Sequence, residues 1–149
     1  MNNDIISRIL NKLIDNDFTI KIRISGNSMT PILLDNEVVS IKKKSNYIPG
    51  DILIFRYKMN VLLAHRLLAI ENNQYYCKGD NSFRIENVNY DQIVGVVLID
   101  NDKNNNPEFI NFSIKIGRLF RKCKYNRDLI IATEEYKSYS AQYLTSAGE

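Results

Sequence analysis

The chain has 149 residues, of which 44% are hydrophobic and 25% are charged, and it carries a net charge of +3. This length predicts one ordinary domain over 1–149, and the composition is typical of a globular protein rather than a disordered or fibrous one. The single histidine and the two distant cysteines, Cys77 and Cys123, exclude a typical zinc site within one chain and a disulfide framework. We therefore expect neither a metal ion nor a cofactor.

The positive charge is concentrated in one short segment. Residues 1–114 are balanced in charge, whereas 115–127 contain six basic residues and no acidic one, and 128–149 have a net charge of −3. Because the excess is local, we expect no nucleic-acid partner. The basic segment indicates either a solvated face or a peripheral contact with an anionic membrane.

The first predicted element is an amphipathic helix over 4–16, in which apolar residues recur at helical spacing after Asp4, a candidate N-cap. Packing on the domain's own core is the favoured interpretation, and contact with a membrane or a partner is the alternative. No stretch is apolar enough for a transmembrane helix, and no basic segment precedes an apolar run as in a secretory signal. We therefore expect a cytoplasmic protein without a transmembrane helix, and peripheral contact with a membrane is the alternative.

From residue 19 onward the hydrophobic period is two, which is typical of strands, so 19–114 is expected to form the β domain. Strands are predicted over 19–25, 37–41, 52–57, 61–70, 74–78, 93–100 and 109–114. Seven short strands favour a mainly β fold, either a sandwich or a partly open barrel. Residues 115–149 are expected to hold a basic helix, over 115–124, and a tail rich in tyrosine that is weakly ordered or dependent on a partner.

Two residues have the chemistry of a nucleophile and its base. Ser28 lies in the segment SGNSMTP at a strand end, where a tight turn exposes the hydroxyl and the Ser28 backbone N–H can face an oxyanion. Taken alone, a serine in such a segment is more often a turn former. His65 alternates with apolar residues on one strand face, which is the usual position of a core histidine, but beside Ser28 it would act as a general base.

A Ser–His pair needs a third group that fixes the tautomer of the imidazole. The turn KGDNS supplies Asp80, and Glu86 and Asp91 follow it. Each of these carboxylates, taken singly, is more simply an ordinary turn or surface acid. The residues alone leave the choice open.

Five segments in order, SGNSMTP, PGDILIF, AHRLLAI, KGDNS and IVGVV, resemble the catalytic domain of the signal peptidase I family over about 22–100. The resemblance implies the β barrel-like fold that this family shares with self-cleaving SOS and phage repressors. The family has a lysine-base branch and a histidine-base branch, and His65-Arg66-Leu67 matches the second. The resemblance therefore implies that Ser28 is the nucleophile and His65 the base. In the histidine branch the orienting acid stands six positions after the aspartate of the GDN box, which is Glu86 here, with Asp80 as the rival and Asp91 as the third choice.

The resemblance implies a serine endopeptidase that cleaves a signal, leader or other precursor peptide held as an extended strand, with small residues before the cut. We expect neither the membrane anchor nor the large inserted β domain of many members, so the resemblance is closer to the compact, soluble ones. A non-catalytic binding or regulatory module on the same fold is the second hypothesis, motivated by Glu86 in place of the usual aspartate and by the missing anchor. A repressor is disfavoured because the segment before SGNSMTP is too short for a helix-turn-helix and a linker.

Overall fold

A computed structural model describes residues 18–99 and 106–144, together with Arg8 and Lys12, which are both helical. The rest of the helix predicted over 4–16 lies outside the described residues. The strands are β1 (Ile20–Arg23), β2 (Val38–Lys42), β3 (Ile52–Arg56), β4 (Leu62–Glu71), β5 (Gln74–Lys78), β6 (Ile85–Asn89) and β7 (Ile93–Leu98). The helices after them are α1 (Pro107–Lys122), α2 (Arg127–Ile131) and α3 (Glu134–Tyr139), and a π-helical turn follows over Ser140–Leu144.

The seven strands form one antiparallel sheet in the order β1-β2-β7-β3-β4-β5-β6. This confirms the prediction of a mainly β fold of the barrel-like type. The sheet is curled. This is shown by β1 at its edge and the start of β4, which line the same cavity although they are not paired with each other. β5 pairs with β4 only from Arg66 onward, so the segment Leu62–His65 of β4 keeps one unpaired edge in the described part of the chain.

Each face of the sheet carries an apolar cluster. On one face, α1 covers the sheet with Phe109, Ile116 and Phe120, which are all fully buried. Gly117 lets this helix approach β4, since a Cβ there would lie 2.5 Å from a methyl carbon of Leu68. The second, smaller cluster lies on the opposite face and contains Leu53, Phe55, Leu67, Cys77, Val88 and Val96. Packing against these two clusters fixes the sheet on both faces, and the loops attached to its strands are held in place with it.

The prediction of a last strand over 109–114 is wrong, because these residues are helical. The Asn106 side chain accepts a hydrogen bond from the Phe109 N–H at 2.9 Å, and Pro107 occupies the first turn, so a helix starts here. The predicted basic helix over 115–124 is therefore the second half of the longer α1. The seventh strand is instead β6, which is not among the strands predicted from the sequence.

The prediction of a weakly ordered tail is wrong for the described residues up to 144, which are helical. The reason is aromatic packing: Tyr139 is 1% exposed and its ring contacts those of Phe109, Phe112 and Tyr143. Residues 145–149 lie outside the described part. Among the described residues, no helix has the length and apolar character needed to cross a membrane.

Candidate active site

Ser28 lies in the loop that joins β1 to β2. Gly26 opens this loop at φ +91°, in the left-handed region that favours glycine, and its N–H donates to the Asp35 carboxylate at 2.8 Å. The next residue after the serine, Met29, is buried at 1% exposure and fixes the loop to the core. The Ser28 side chain itself is half-buried at the mouth of a cavity.

The structure brings Ser28, His65 and Glu86 into one hydrogen-bonded chain. The distance from Ser28 Oγ to His65 Nε2 is 3.0 Å, and that from His65 Nδ1 to Glu86 Oε2 is 2.8 Å. An ionised carboxylate only accepts hydrogen bonds, so Nδ1 carries the imidazole proton and Nε2 is left to accept from the serine hydroxyl. This is the arrangement in which an imidazole can take the proton of a serine.

The Glu86 carboxylate is fully buried, but it is not isolated. Its second oxygen, Oε1, accepts from Arg84 Nε at 2.9 Å, and the Arg84 side chain is 62% exposed. The Phe55 ring meets His65 edge-on with the ring centroids 6.2 Å apart. The imidazole thus contacts both a carboxylate and an apolar ring, at 2% exposure.

Asp80 lies in a separate network. Its carboxylate accepts from Arg66 Nε at 2.9 Å and from Arg66 Nη2 at 2.8 Å, and Ser113 Oγ donates to the same group at 2.5 Å. Both charged side chains are completely buried. Asp91 is exposed in the turn before β7, and its backbone carbonyl accepts from Arg56. Neither Asp80 nor Asp91 has a hydrogen bond to His65.

The turn that follows β5 touches the nucleophile directly. The Asn81 N–H donates to the Ser28 carbonyl at 2.9 Å, and the Asn81 side chain donates to the Asn27 carbonyl at 3.3 Å. The two peptide groups around Ser28 are therefore both held. Its own N–H has no hydrogen-bond acceptor among the described residues, so it can bind a ligand's oxygen.

A cavity of about 300 Å³ opens beside Ser28, between β1 and the start of β4. Its lining is mostly apolar and consists of Ile22, Arg23, Ile24, Ser25, Ser28, Met29, Ile54, Leu62, Leu63 and Ala64. Among the described residues, each of these two strands has one edge without a strand partner at this cavity. Within the described residues, no group of three or more His, Cys, Asp or Glu side chains is arranged to hold a metal ion.

Five further side chains support the site and were not among the predicted site residues: Arg66, Ser113, Lys78, Arg84 and Tyr139. The signal for Arg66 is its position in the sequence, because a charged residue between apolar ones in a strand indicates a buried partner. Lys78 is also buried, and its Nζ donates to the Gly79 carbonyl at 3.0 Å, not to Ser28. Ser113 and Tyr139 carry no local signal.

We predict that Lys78 makes stability depend on pH. Burial lowers the pKa of Lys78 from 10.5 to about 8, against the opposing effect of Asp80 and Glu86. Between those two pH values the unfolded chain keeps a proton that the folded chain has lost, so this lysine makes the free energy of unfolding rise with pH. The destabilisation is fully present below about pH 8 and disappears toward pH 10.5.

Urea denaturation of the wild type and of Lys78→Met at several pH values measures this effect. We expect the stability of Lys78→Met relative to the wild type to be greatest below pH 8 and to fall as the pH rises to 10.5. The difference between the two proteins removes the contributions of other groups, such as Cys77, whose pKa is raised by burial. Two parallel stability curves would show that Lys78 titrates alike in both states.

A comparison with protein families finds that the Peptidase S24-like family model matches residues 4–98. A search of curated proteins finds no match to the chain. The matched residues include the whole sheet and all three members of the hydrogen-bonded chain, Ser28, His65 and Glu86. Since the match spans well over half of the sequence, the chain belongs to the Peptidase S24-like family.

Proposed function

We propose that the protein is a serine endopeptidase in which Ser28 is the nucleophile, His65 the general base and Glu86 the acid that orients the base. The observation that carries this proposal is the chain of hydrogen bonds from Ser28 Oγ through the imidazole to Glu86, at 3.0 and 2.8 Å. Family membership supports a fold of the serine-peptidase type. The contacts of Asp80 favour a structural role for that residue instead.

The mechanism follows from the geometry. As Ser28 Oγ attacks the scissile carbonyl carbon, His65 Nε2 takes the hydroxyl proton, and Glu86 stabilises the imidazolium through Nδ1. The carbonyl oxygen becomes an oxyanion, which the Ser28 N–H binds. His65 then gives its proton to the departing amine, and the acyl group stays on the serine. Water, deprotonated by His65, hydrolyses this ester and restores the enzyme.

The substrate in this proposal is an extended peptide that adds to the sheet beside the cavity. The unpaired edges of β1 and of Leu62–His65 supply backbone partners for it, as in other cases of strand addition. The small apolar cavity fits a short apolar side chain next to the cleaved bond. A signal, leader or precursor peptide with small residues before the cut has this chemistry, as the signal peptidase I family resemblance implies.

The test has two parts. Purified wild type is incubated with a library of extended peptides that have small residues at one position, and the products are read by mass spectrometry. A parallel sample is treated with an acylating probe for active serines, and its intact mass is measured. Cleavage and labelling that Ser28→Ala abolishes would support the proposal.

Other outcomes separate the alternatives. If the folded wild type neither cleaves nor labels in a Ser28-dependent way, the protein is a binding or regulatory module on the same fold. If the only Ser28-dependent event is a break in the protein's own chain, visible as two fragments by intact mass, it is a self-cleaving member of the family. Either result would overturn the proposed endopeptidase.

We predict a strong effect of Gly79→Ala on this activity. A Cβ at Gly79 would lie 2.6 Å from the Ser28 carbonyl oxygen and 3.1 Å from His65 Nε2. The backbone oxygen cannot yield without moving the nucleophile, so the rate of peptide cleavage should fall by tenfold or more while the circular dichroism spectrum is kept. An unchanged rate would mean that the turn is loosely placed.

We also propose that the basic face of α1 binds anionic membranes. Lys115, Arg118 and Lys122 are exposed at helical spacing along it, and grooves of about 770 and 660 Å³ flank the row. Each lysine near an anionic surface contributes about 1 kcal/mol, so the double variant Lys115→Gln/Lys122→Gln should bind phosphatidylglycerol vesicles about thirtyfold more weakly. Lys21→Gln/Lys58→Gln, which removes two exposed lysines elsewhere, is the matched control. Equal losses in both would indicate that only net charge matters.

A further inference from the structure

The helices after the sheet reach the turn that holds the nucleophile. The family match ends at residue 98, whereas α1 and α3 lie beyond it. Even so, Ser113 of α1 donates to the Asp80 carboxylate at 2.5 Å, and the Tyr139 hydroxyl of α3 donates to the Asp80 backbone carbonyl at 2.8 Å. Tyr139 is 1% exposed, so this contact is out of water.

One peptide group connects Tyr139 to the nucleophile. The Asp80 carbonyl, which accepts from Tyr139, and the Asn81 N–H, which donates to the Ser28 carbonyl at 2.9 Å, belong to the same peptide bond. A trans peptide bond is planar, and its carbonyl and N–H point in opposite directions. Fixing the carbonyl end therefore fixes the direction of the N–H at the other end.

The remaining contacts of the turn leave the direction of this peptide plane open. The Ser82 N–H donates to the Gly79 carbonyl at 3.1 Å, but a turn closed in this way can hold its central peptide, here Asp80–Asn81, in either of two directions. Asp80 is anchored to Arg66 by its side chain, which leaves the backbone rotation after it undetermined. The Asp80 N–H lies 3.4 Å from Met29 Sδ, a long contact with a weak acceptor. The direction of the plane is thus set by its own two hydrogen bonds, and the bond from the Tyr139 hydroxyl is the one that does not involve the nucleophile. Burial, together with the nearby Asp80 charge, raises the pKa of Tyr139, so the hydroxyl stays a donor at ordinary pH.

We propose that Tyr139 is a positioning residue for Ser28, acting through the Asp80–Asn81 peptide group, and that the helical segment 107–144 is therefore part of the active site. The two hydrogen bonds on one peptide group polarise in the same direction, so each strengthens the other. Losing the first should weaken the second and let the Ser28 backbone, including the N–H that would bind the oxyanion, move. The catalytic consequence rests on the proposed peptidase function, whereas the structural one does not.

The experiment compares Tyr139→Phe with Tyr136→Phe. The first removes only the hydroxyl and keeps the ring stacked in the aromatic cluster with Phe109 and Phe112. The second is the matched control, because Tyr136 is in the same helix and the same cluster, and its hydroxyl has no hydrogen bond among the described residues. Amide hydrogen exchange at Asn81 and the rate of Ser28 acylation by an active-serine probe are measured in both, together with the thermal midpoint.

We expect Tyr139→Phe to accelerate exchange at the Asn81 amide and to slow acylation, each by about threefold to tenfold, the effect of one hydrogen bond. KM for a cleaved peptide should change less than kcat, because the substrate edges of β1 and β4 are untouched. The midpoint of the pH–rate profile should stay constant, since His65 and Glu86 keep their contacts. Tyr136→Phe should leave all of these near the wild-type values.

Two results would overturn the inference. One is unchanged exchange at Asn81 in Tyr139→Phe, and the other is the same acceleration in Tyr136→Phe, which would reduce Tyr139 to core packing. Failure of the proposed function is distinguishable from both. If the wild type does not acylate at Ser28 but the Asn81 amide of Tyr139→Phe still exchanges faster, the positioning contact stands and the peptidase proposal fails.

Discussion

Replacing Ser28 by alanine is expected to abolish peptide cleavage, and replacing His65 by alanine should reduce kcat/KM nearly as far, on the order of 10⁴–10⁶-fold. The two side chains act as a unit, because the hydroxyl is a poor nucleophile until its proton passes to the imidazole 3.0 Å away. His65 is the only histidine in the sequence, so no other imidazole can replace it. Steady-state kinetics on the peptide found by the library assay measures both losses.

The double variant Ser28→Ala/His65→Ala is the sharpest control. Since each single change disables the same step, the double variant should be no slower than Ser28→Ala alone. Ser138→Ala, an exposed serine on α3, should retain wild-type kinetics. A His65→Ala protein that keeps substantial activity would show that another group removes the proton, and the proposed mechanism would fail.

Asp80→Ala and Glu86→Gln should separate stability from catalysis. Asp80→Ala removes the carboxylate that neutralises a fully buried guanidinium, so we expect a loss of about 3–5 kcal/mol in the free energy of unfolding. Glu86→Gln keeps the size of the side chain but removes the charge that stabilises the imidazolium, and the Arg84 side chain beside it can turn into water. We therefore expect a fall in kcat on the order of 10²–10⁴-fold with a smaller loss of stability.

Urea denaturation and kinetics on the same two proteins check this pair of expectations. Asp80→Asn is the companion variant, because it keeps the shape of the side chain and part of its hydrogen bonding to Arg66. If Asp80→Ala leaves the unfolding midpoint unchanged and lowers only kcat, Asp80 is the orienting acid and the assignment to Glu86 is wrong.

Much of the sheet could be predicted from the sequence because its strands alternate or run continuously apolar, as in β2, β3, β4, β5 and β7. Residues 109–114 were wrongly predicted to be a strand because their apolar positions fit both a strand and a helix. These residues form a helix because Asn106 and Pro107 start α1. One face of that helix is buried through Phe109, Ser113, Ile116 and Phe120. β6 was missed because a buried glutamate interrupts its hydrophobic pattern.

The candidate site could be predicted from the sequence except for the choice of its acid, and Glu86 shows why. Motifs identified Ser28, His65, Asp80 and Glu86 as candidates, but the choice between the two acids depends on which face of β4 each one meets. That is a property of register and sheet curvature, and no local pattern encodes it. The role of Tyr139 could not be predicted from the sequence for a similar reason, since its contact with the turn arises from the packing of α3 on α1.

The register of β4 matters for folding as well as for catalysis. His65 and Arg66 are adjacent, so the strand directs the imidazole to one face and the guanidinium to the other. A slip of one residue would exchange them, burying a positive charge against Phe55 and leaving Asp80 unneutralised. A misregistered sheet would thus be both inactive and strongly unstable, so quality control that removes unstable chains would also remove the inactive ones.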